Sequence, residues 1–380
     1  MRILHTADWH VGVTMRGRSR AEEHRLVLNE ILSIAEEQAV DLVIVAGDLF
    51  HHAAPGPESE QIVYDALLEL AQDDRQVTLV AGNHDNPRRI EAIRPLLGQV
   101  GIRAAGLPRS SALKLETRGG ERACMALVPF LSQRGIVRAI DLMRSEAGDH
   151  VQKYADRFRR IIRHLCAEFE DGAVNLVVGH LTVVGGRVGG GEREAHTVFD
   201  YYVAPQSFPP AAHYVALGHL HRAQQVPGPG QIRYSGSPIQ VDFSEDMNDP
   251  CVLVVEAEAG RPARVEEVAL SSPRRLLRLR GTFEGLLERC DSVGDAYLRI
   301  EVEEKPAPGL ADEIREAFPN AVDVRVVYEA DEADARPPID IGKSPRELFG
   351  QYLEQDEIEG EDLLKLFDEL MEEELETDST

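Results

Sequence analysis

Asp, His and Asn recur in this sequence at five places where an apolar run of strand length ends. Asp8-Trp9-His10 follows Ile3 to Ala7, Gly47-Asp48 follows Leu42 to Ala46, and Gly82-Asn83-His84-Asp85 follows Val77 to Ala81. Gly179-His180 follows Val174 to Val178, and Gly218-His219-Leu220-His221 follows Tyr214 to Leu217. Open α/β sheets place their chemistry at such strand ends, so each motif is a candidate for ligation. On an extended strand residues i and i+2 point the same way, which aims Asp8 with His10, and His219 with His221, into one cavity. With Asp48, Asn83 and His180 these make seven oxygen and nitrogen donors. Seven exceed one tetrahedral zinc and suit two five- or six-coordinate ions bridged by a carboxylate. Imidazole, carboxylate and amide without thiolate favour Mn²⁺, Fe or Zn²⁺ over Ca²⁺. One strand-Gly-Asp alone is an ordinary turn. His5, His24, His150, His164, His196 and His213 lack such settings and read as structural.

The elements that must position these donors follow from periodicity. Leu28, Ile31, Leu32 and Ala35 mark a helix before the Asp48 strand, and Val63, Ala66, Leu67 and Leu70 mark another before the Asn83 strand. A strand from Cys124 to Val128 is expected next. A helix carrying Val151, Tyr154, Phe158, Ile161, Ile162 and Leu165 then leads into the His180 strand. Gly185-Gly186 and Gly189-Gly190-Gly191 predict a mobile loop. Beyond His221 short strands at Gln231 to Ser235, Cys251 to Glu256 and Arg264 to Val268 dominate. Residues 1–270 therefore read as an α/β unit of two packed sheets flanked by helices. Ser271-Ser272-Pro273 marks a boundary to a small α+β unit, 271–329, that brings no ligand-like residues and is expected to cap the first. Residues 330–343, acidic with Pro337-Pro338, suit a linker. Ser344-Pro345-Arg346-Glu347 opens a helical segment, 344–380, with a capping box and Pro at the first helical position.

At 380 residues the chain exceeds what one core usually holds. With 43% apolar and 28% charged residues it has globular composition. Met1-Arg2-Ile3-Leu4 begins a strand rather than a leader, and no stretch is apolar enough to span a bilayer, so a cytoplasmic location is expected. Cys124, Cys166, Cys251 and Cys290 form no CxxC pair and read as reduced packing residues. The formal charge of −25 argues against phosphate contacts, but it is uneven. Glu354 to Thr380 holds thirteen acids and Lys365 alone, so −12 of the charge sits in the tail. Arg16, Arg18, Arg20 and Arg25, then Arg88, Arg89 and Arg94, then Arg187, Arg193 and Arg222 cluster beside the motifs, as a focused cationic rim requires.

The order D-x-H, GD, GNHD, GH, GHxH resembles the binuclear metallophosphoesterase superfamily. Ala46 to His51, Phe208-Pro209-Pro210, Ala216 to Gln224 and Tyr234-Ser235-Gly236-Ser237-Pro238 are similar, more narrowly, to the nuclease subunits of SbcCD-type complexes. This resemblance covers residues 1–270 by motif and the rest by domain order. It implies that Asp8, His10, Asp48 and His221 bind one ion and that Asp48, Asn83, His180 and His219 bind the other, with Asp48 as bridge. It implies His84 as catalytic histidine, His51 as a second active-site histidine, and Mn²⁺ as the metal. It further implies double-strand DNA exonuclease and single-strand or hairpin endonuclease activity in DNA repair and recombination. The implied partner is an SbcC-type coiled-coil ABC ATPase, and the implied assembly a homodimer through the nuclease domain. Two ions can clamp a phosphodiester and ionise water at neutral pH, and a nearby histidine can protonate the leaving oxygen. A stand-alone phosphoesterase acting on nucleotides or phosphoproteins would carry the same motifs but has little use for residues 271–380. A scaffold with a purely structural metal site has no use for the non-ligand His84.

Overall fold

The computed structural model describes residues 1–131, 147–192, 202–245 and 248–328, together with 346–347, 349–350, 353 and 363–367; in 147–154 it describes the backbone. Two six-stranded sheets form the larger body. The first runs β16 (Arg264–Ala269), β15 (Cys251–Glu256), β1 (Arg2–Thr6), β4 (Leu42–Val45), β5 (Gln76–Val80), β6 (Ile102–Ala105). Its last four strands are parallel, and β15 pairs antiparallel with both β1 and β16. The second runs β13 (Gln224–Val226), β14 (Ile232–Tyr234), β12 (Tyr214–Gly218), β9 (Val174–His180), β8 (Arg122–Val128), β7 (Leu113–Glu116). Two-stranded pairs join β2 (Thr14–Met15) to β3 (Arg18–Ser19) and β10 (Thr182–Val183) to β11 (Tyr202–Val203).

Both faces of the central strands are covered, which is why their sequences are largely apolar rather than alternating. Ile3, Ile44, Val80, Met125, Leu176, Tyr214 and Leu253 fill the layer between the sheets. Leu4, Val43, Val45 and Leu79, on the opposite face of the first sheet, pack under α1 (Ala21–Glu37), α2 (Pro57–Leu70) and α3 (Pro87–Gln99). Phe158, Ile162 and Leu165 of α4 (Ala147–Cys166) cover the second sheet through Val177, Val215 and Leu217. The helix α3 has no counterpart among the sequence expectations. Its Asn86 N-cap accepts from Arg88 N and Arg89 N, and Pro87 occupies the first turn, both start signals. Pro95 inside it and its arginines mask the apolar period.

The smaller α+β unit has three parallel strands, β17 (Leu276–Gly281), β18 (Tyr297–Val302) and β19 (Ala321–Val326), in that order. Leu286 of α5 (Phe283–Leu287) and Leu310 and Ile314 of α6 (Leu310–Ala317) close its own core with Leu279, Leu298 and Ile300. A shared cluster of Met15, Phe243, Leu276 and Tyr297 joins it to the sandwich, and residues 1–327 form one compact unit. Residues 328–380 form the other unit. Within it, 363–367 is helical, Phe349 stacks on Phe367 at 4.6 Å, and Leu363 and Leu366 are exposed. The capping-box Ser344 lies outside the described residues, as do Arg193 and His196. All four cysteines are free thiols. Among the described residues no helix is long and apolar enough to cross a membrane.

The expected cationic rim is largely neutralised. Arg16 pairs with Asp323, and Arg18 donates to Pro319 O, so both dock the small unit. Arg20 is buried against Glu23, while Arg25, Arg89 and Arg94 pair with Glu58, Glu60 and Glu91. Local acids that a reading of arginine spacing ignores take up these charges. Arg88, Arg187 and Arg222 have no ion pair among the described residues.

His5 is fully buried, with Nδ1 2.8 Å from the Tyr214 hydroxyl. Burial pushes its pKa down from 6.5 to about 3, against a raising contact with the Leu217 backbone. Below pH 6.5 the unfolded chain therefore binds a proton there that the folded chain refuses. The neutral ring's stabilisation is fully present above pH 6.5 and is lost as the pH falls toward 3. We expect His5→Leu to flatten the pH dependence of urea-unfolding stability in that window by about 1.4 kcal/mol per pH unit. Parallel curves for the two proteins would exclude His5 as the source.

Candidate metal centre

All nine residues singled out from the sequence converge at one end of the two sheets. Three sets of side chains can bring their donor atoms within 4.8 Å of one another: Asp8, His10 and His221; Asp8, Asp48 and His180; His10, His51 and His84. Asn83 Oδ1 stands 2.8 Å from both His180 Nε2 and His219 Nδ1, which draws in the remaining two donors. His10 Nε2 and His221 Nε2 are 3.0 Å apart. Asp48 Oδ2 lies 3.7 Å from His10 Nε2 and 3.3 Å from His180 Nε2.

The way these side chains are aimed differs from the extended-strand expectation. Asp8 and His10 lie past the end of β1 with φ of 55° and 48°, and Asp48 and His219 have φ of 52° and 103°. Four non-glycine residues at positive φ, each costing about 1–3 kcal/mol, concentrate strain at this one place. The strand ends deliver the backbone, and left-handed turns then swing the donors inward. Asp8 accepts from His219 N at 3.0 Å, which ties the first sheet's end to the second's. Gly82 is required by close approach: a methyl group there would collide with the Asp48 carboxylate and its backbone N.

Carbonyl and carboxylate partners set the imidazole tautomers. His180 Nδ1–H donates to Ala46 O at 2.8 Å, which turns Nε2 toward Asp48 and Asn83. His84 Nδ1–H donates to His51 O at 2.8 Å, and His84 N donates to Asp48 Oδ1 at 2.7 Å. His221 Nδ1–H donates to the buried Glu245 Oε1 at 2.6 Å. Glu192 accepts from His221 N, Gly189 N and Gly190 N, so the glycine-rich loop is bound to the site's edge. Asp85 accepts from Gly82 N, Leu49 N and Phe50 N and holds the Asp48 turn in place. None of Asp85, Glu192 or Glu245 was expected as a site residue. Only Asp85 carried a signal, its place inside the GNHD motif.

Electrostatics favour positive charge at His180 and His221, whereas burial and the neighbouring His221, His84 and His51 hold His10 well below its ordinary value. Burial alone pushes the Asp48 carboxyl up, but the His180, His10 and His84 charges hold it well below the usual range. Burial opposes a charged His180, yet Asp48 and Asp8 raise it to about 9, and Glu245 raises His221 to about 10 in the same way. Burial lifts Asp8 and Asp85 to about 7. Neighbouring ligands on one small divalent ion stand about 3 Å apart, the spacing these donors already have. The donor set thus fits divalent ions, with second partners on the imidazoles of the kind metal-bound histidines require.

His5, His164 and His213 take partners away from the cluster, and His24 is held by the Arg20 and Trp9 carbonyls.

Residues 1–223 match the family model of calcineurin-like phosphoesterases. Across 386 aligned residues the chain is 34% identical to the SbcD subunit of the SbcCD nuclease of Bacillus subtilis (strain 168), with 97% of each chain covered. The chain belongs to the SbcD family. Two further SbcD subunits are similar to it. That of Rhodobacter capsulatus is 36% identical over 73% of this chain and 71% of its own. That of Escherichia coli (strain K12) is 29% identical over 80% and 78%. Residues 272–357 match the model described as type 5 capsule protein repressor C-terminal domain. An SbcD-family phosphoesterase domain with these clusters has a divalent dimetal site.

Proposed function

We propose that this chain is a Mn²⁺-dependent DNA nuclease, an exonuclease on duplex ends and an endonuclease on single strands and hairpins. It works in DNA repair and recombination with an SbcC-type coiled-coil ATPase. The observation that carries the reading is Asp48, whose Oδ2 faces His10 Nε2 on one side and His180 Nε2 on the other. Asp8, His10, Asp48 and His221 hold one ion, and Asp48, Asn83, His180 and His219 the other. When bound, such a pair acts as a Lewis acid on a phosphodiester and supplies a nucleophile at neutral pH. Donors of imidazole, carboxylate and amide without thiolate suit Mn²⁺. His84, oriented through Nδ1 by His51 O, hands a proton to the leaving oxygen or stabilises its charge. His51, whose ring lies 5.4 Å from that of His10, flanks the same space. The exposed Arg222, next to His221 in the chain, and Arg187, whose backbone bonds Gln224, meet the DNA phosphates.

Residues 1–270 are the nuclease domain and 271–329 a cap over it; 330–343 is a linker and 344–380 the ATPase-binding segment. The exposed Leu363 and Leu366 support a docking role for that segment. A homodimer through the nuclease domain completes the reading, supported by exposed Leu68 and Leu96 on α2 and α3; a monomer by light scattering at working concentration would remove it. The location is cytoplasmic, and recovery of the chain from another compartment on cell fractionation would contradict it.

One experiment tests the whole. The full chain and a chain ended after Gly342 are assayed with and without Mn²⁺ on linear duplex, hairpin DNA and a cyclic dinucleotide, alone and with the ATPase. Both chains are expected to cut both DNAs only with Mn²⁺, and only the full chain to retain the ATPase in pull-down. Turnover of the cyclic dinucleotide with DNA untouched would favour a small-substrate phosphoesterase. Equal retention of the ATPase by both chains would free the tail from docking.

A further inference from the structure

We propose that Glu245 is a positioning residue for His221, and that docking of the α+β unit on the 3₁₀ turn Phe243–Glu245 holds it there. Glu245 and His221 meet at 2.6 Å with side chains 1% and 3% exposed. A carboxylate this deeply buried is costly unless it is fully paired, and this one spends Oε1 on His221 and Oε2 on Val241 N at 2.9 Å. Its neighbours leave it one place to stand, since a methyl group on Gly191 would collide with Oε1.

The turn that carries Glu245 is gripped from the other side by the small unit. Arg278 Nε donates to Phe243 O at 2.9 Å, and the Arg299 guanidinium lies 4.5 Å from the centre of the Phe243 ring. Phe243 itself is fully buried among Met15, Leu276 and Tyr297. Gln240 spans the junction: its amide nitrogen donates to Glu245 O and Asn248 O, and its oxygen accepts from Leu276 N at 2.7 Å. One residue, Ser244, therefore separates a side chain clamped by the α+β unit from the carboxylate that orients a ligand of the metal centre. Movement of that unit would reach the His221 ion before the other one.

This inference rests on the two-ion reading given above. The test is calorimetric titration of the full-length chain with Mn²⁺ alone. The wild-type chain is expected to bind two ions; failure to do so would overturn the two-ion reading itself. Glu245→Gln is expected to weaken one of the two sites by about 10- to 100-fold and leave the other unchanged. The double variant Arg278→Ala with Arg299→Ala is expected to weaken the same site by about 2- to 30-fold. Wild-type affinity in Glu245→Gln, or equal weakening of both sites, would overturn the positioning role. Unchanged affinity in the double variant would overturn the coupling. Should Glu245→Gln fail to fold, the double variant, which alters no buried carboxylate, still decides by the same measurement.

Discussion

Asp48→Ala is expected to release both ions and reduce cleavage to background. The reason is that one carboxylate serves both donor sets, with Oδ2 3.7 Å from His10 Nε2 and 3.3 Å from His180 Nε2. Losing an outer partner of a ligand costs about 10- to 100-fold in metal affinity, and losing the shared ligand itself should exceed that at both sites. A second effect adds to the first. Asp48 Oδ1 accepts from His84 N at 2.7 Å, so its removal also loosens the loop that carries His84 and Asn83. Asp48→Asn separates the two effects, because the amide oxygen keeps the His84 contact while the negative charge between the ions is gone. Elemental analysis of the purified variants decides: two tightly held ions in Asp48→Ala would end the assignment of Asp48 as bridge.

Why was this site legible at all before any fold was seen? The strands β1, β4, β5, β9 and β12 are buried on both faces, so each reads as a largely apolar run in which His5, Thr6, Thr78 and Asn175 are the buried exceptions, and the polar residues massed at the strand ends stand out against it. Chemistry stood out because the core was so uniform. What stayed illegible lay in the turns. Asp8, His10, Asp48 and His219 adopt positive φ although none is glycine, and no rule of composition signals that. The glycines of 189–191 suggested a mobile loop, yet they answer to close approach: methyl groups on Gly190 and Gly191 would collide with Ser244 and Glu245. Glu192 and Glu245 went unread because an acid in an irregular segment has no period, and only three-dimensional proximity to His221 singles them out. The arginines illustrate the converse error. Their spacing beside the motifs was real, but Arg16, Arg20, Arg25 and Arg89 are spent on Asp323, Glu23, Glu58 and Glu60. A charge is a candidate for binding only after its local acids have been counted.

His84→Ala is expected to keep both ions and lower DNA cleavage by about 10² to 10⁴-fold, the usual worth of a positioned proton donor. His84 shares the 4.8 Å grouping with His10 and His51, yet it contributes to neither of the sets that include a carboxylate. Removing it therefore leaves every carboxylate, and the Asn83 bridge between His180 and His219, in place. The main-chain bond from residue 84 to Asp48 also survives, since it uses the backbone N. What disappears is a ring fixed through Nδ1 by His51 O, to whose Nε2 this reading assigns the proton exchange. If that proton goes to the leaving oxygen, the loss should depend on how badly the leaving group needs it. A nitrophenyl phosphodiester, whose phenolate departs unaided, should be cut by the variant at close to the wild-type rate, while DNA should not. Equal losses on both substrates would assign His84 to electrostatic stabilisation of the phosphoryl group instead of proton transfer. DNA cleavage by His84→Ala at the wild-type rate would remove the residue from the mechanism.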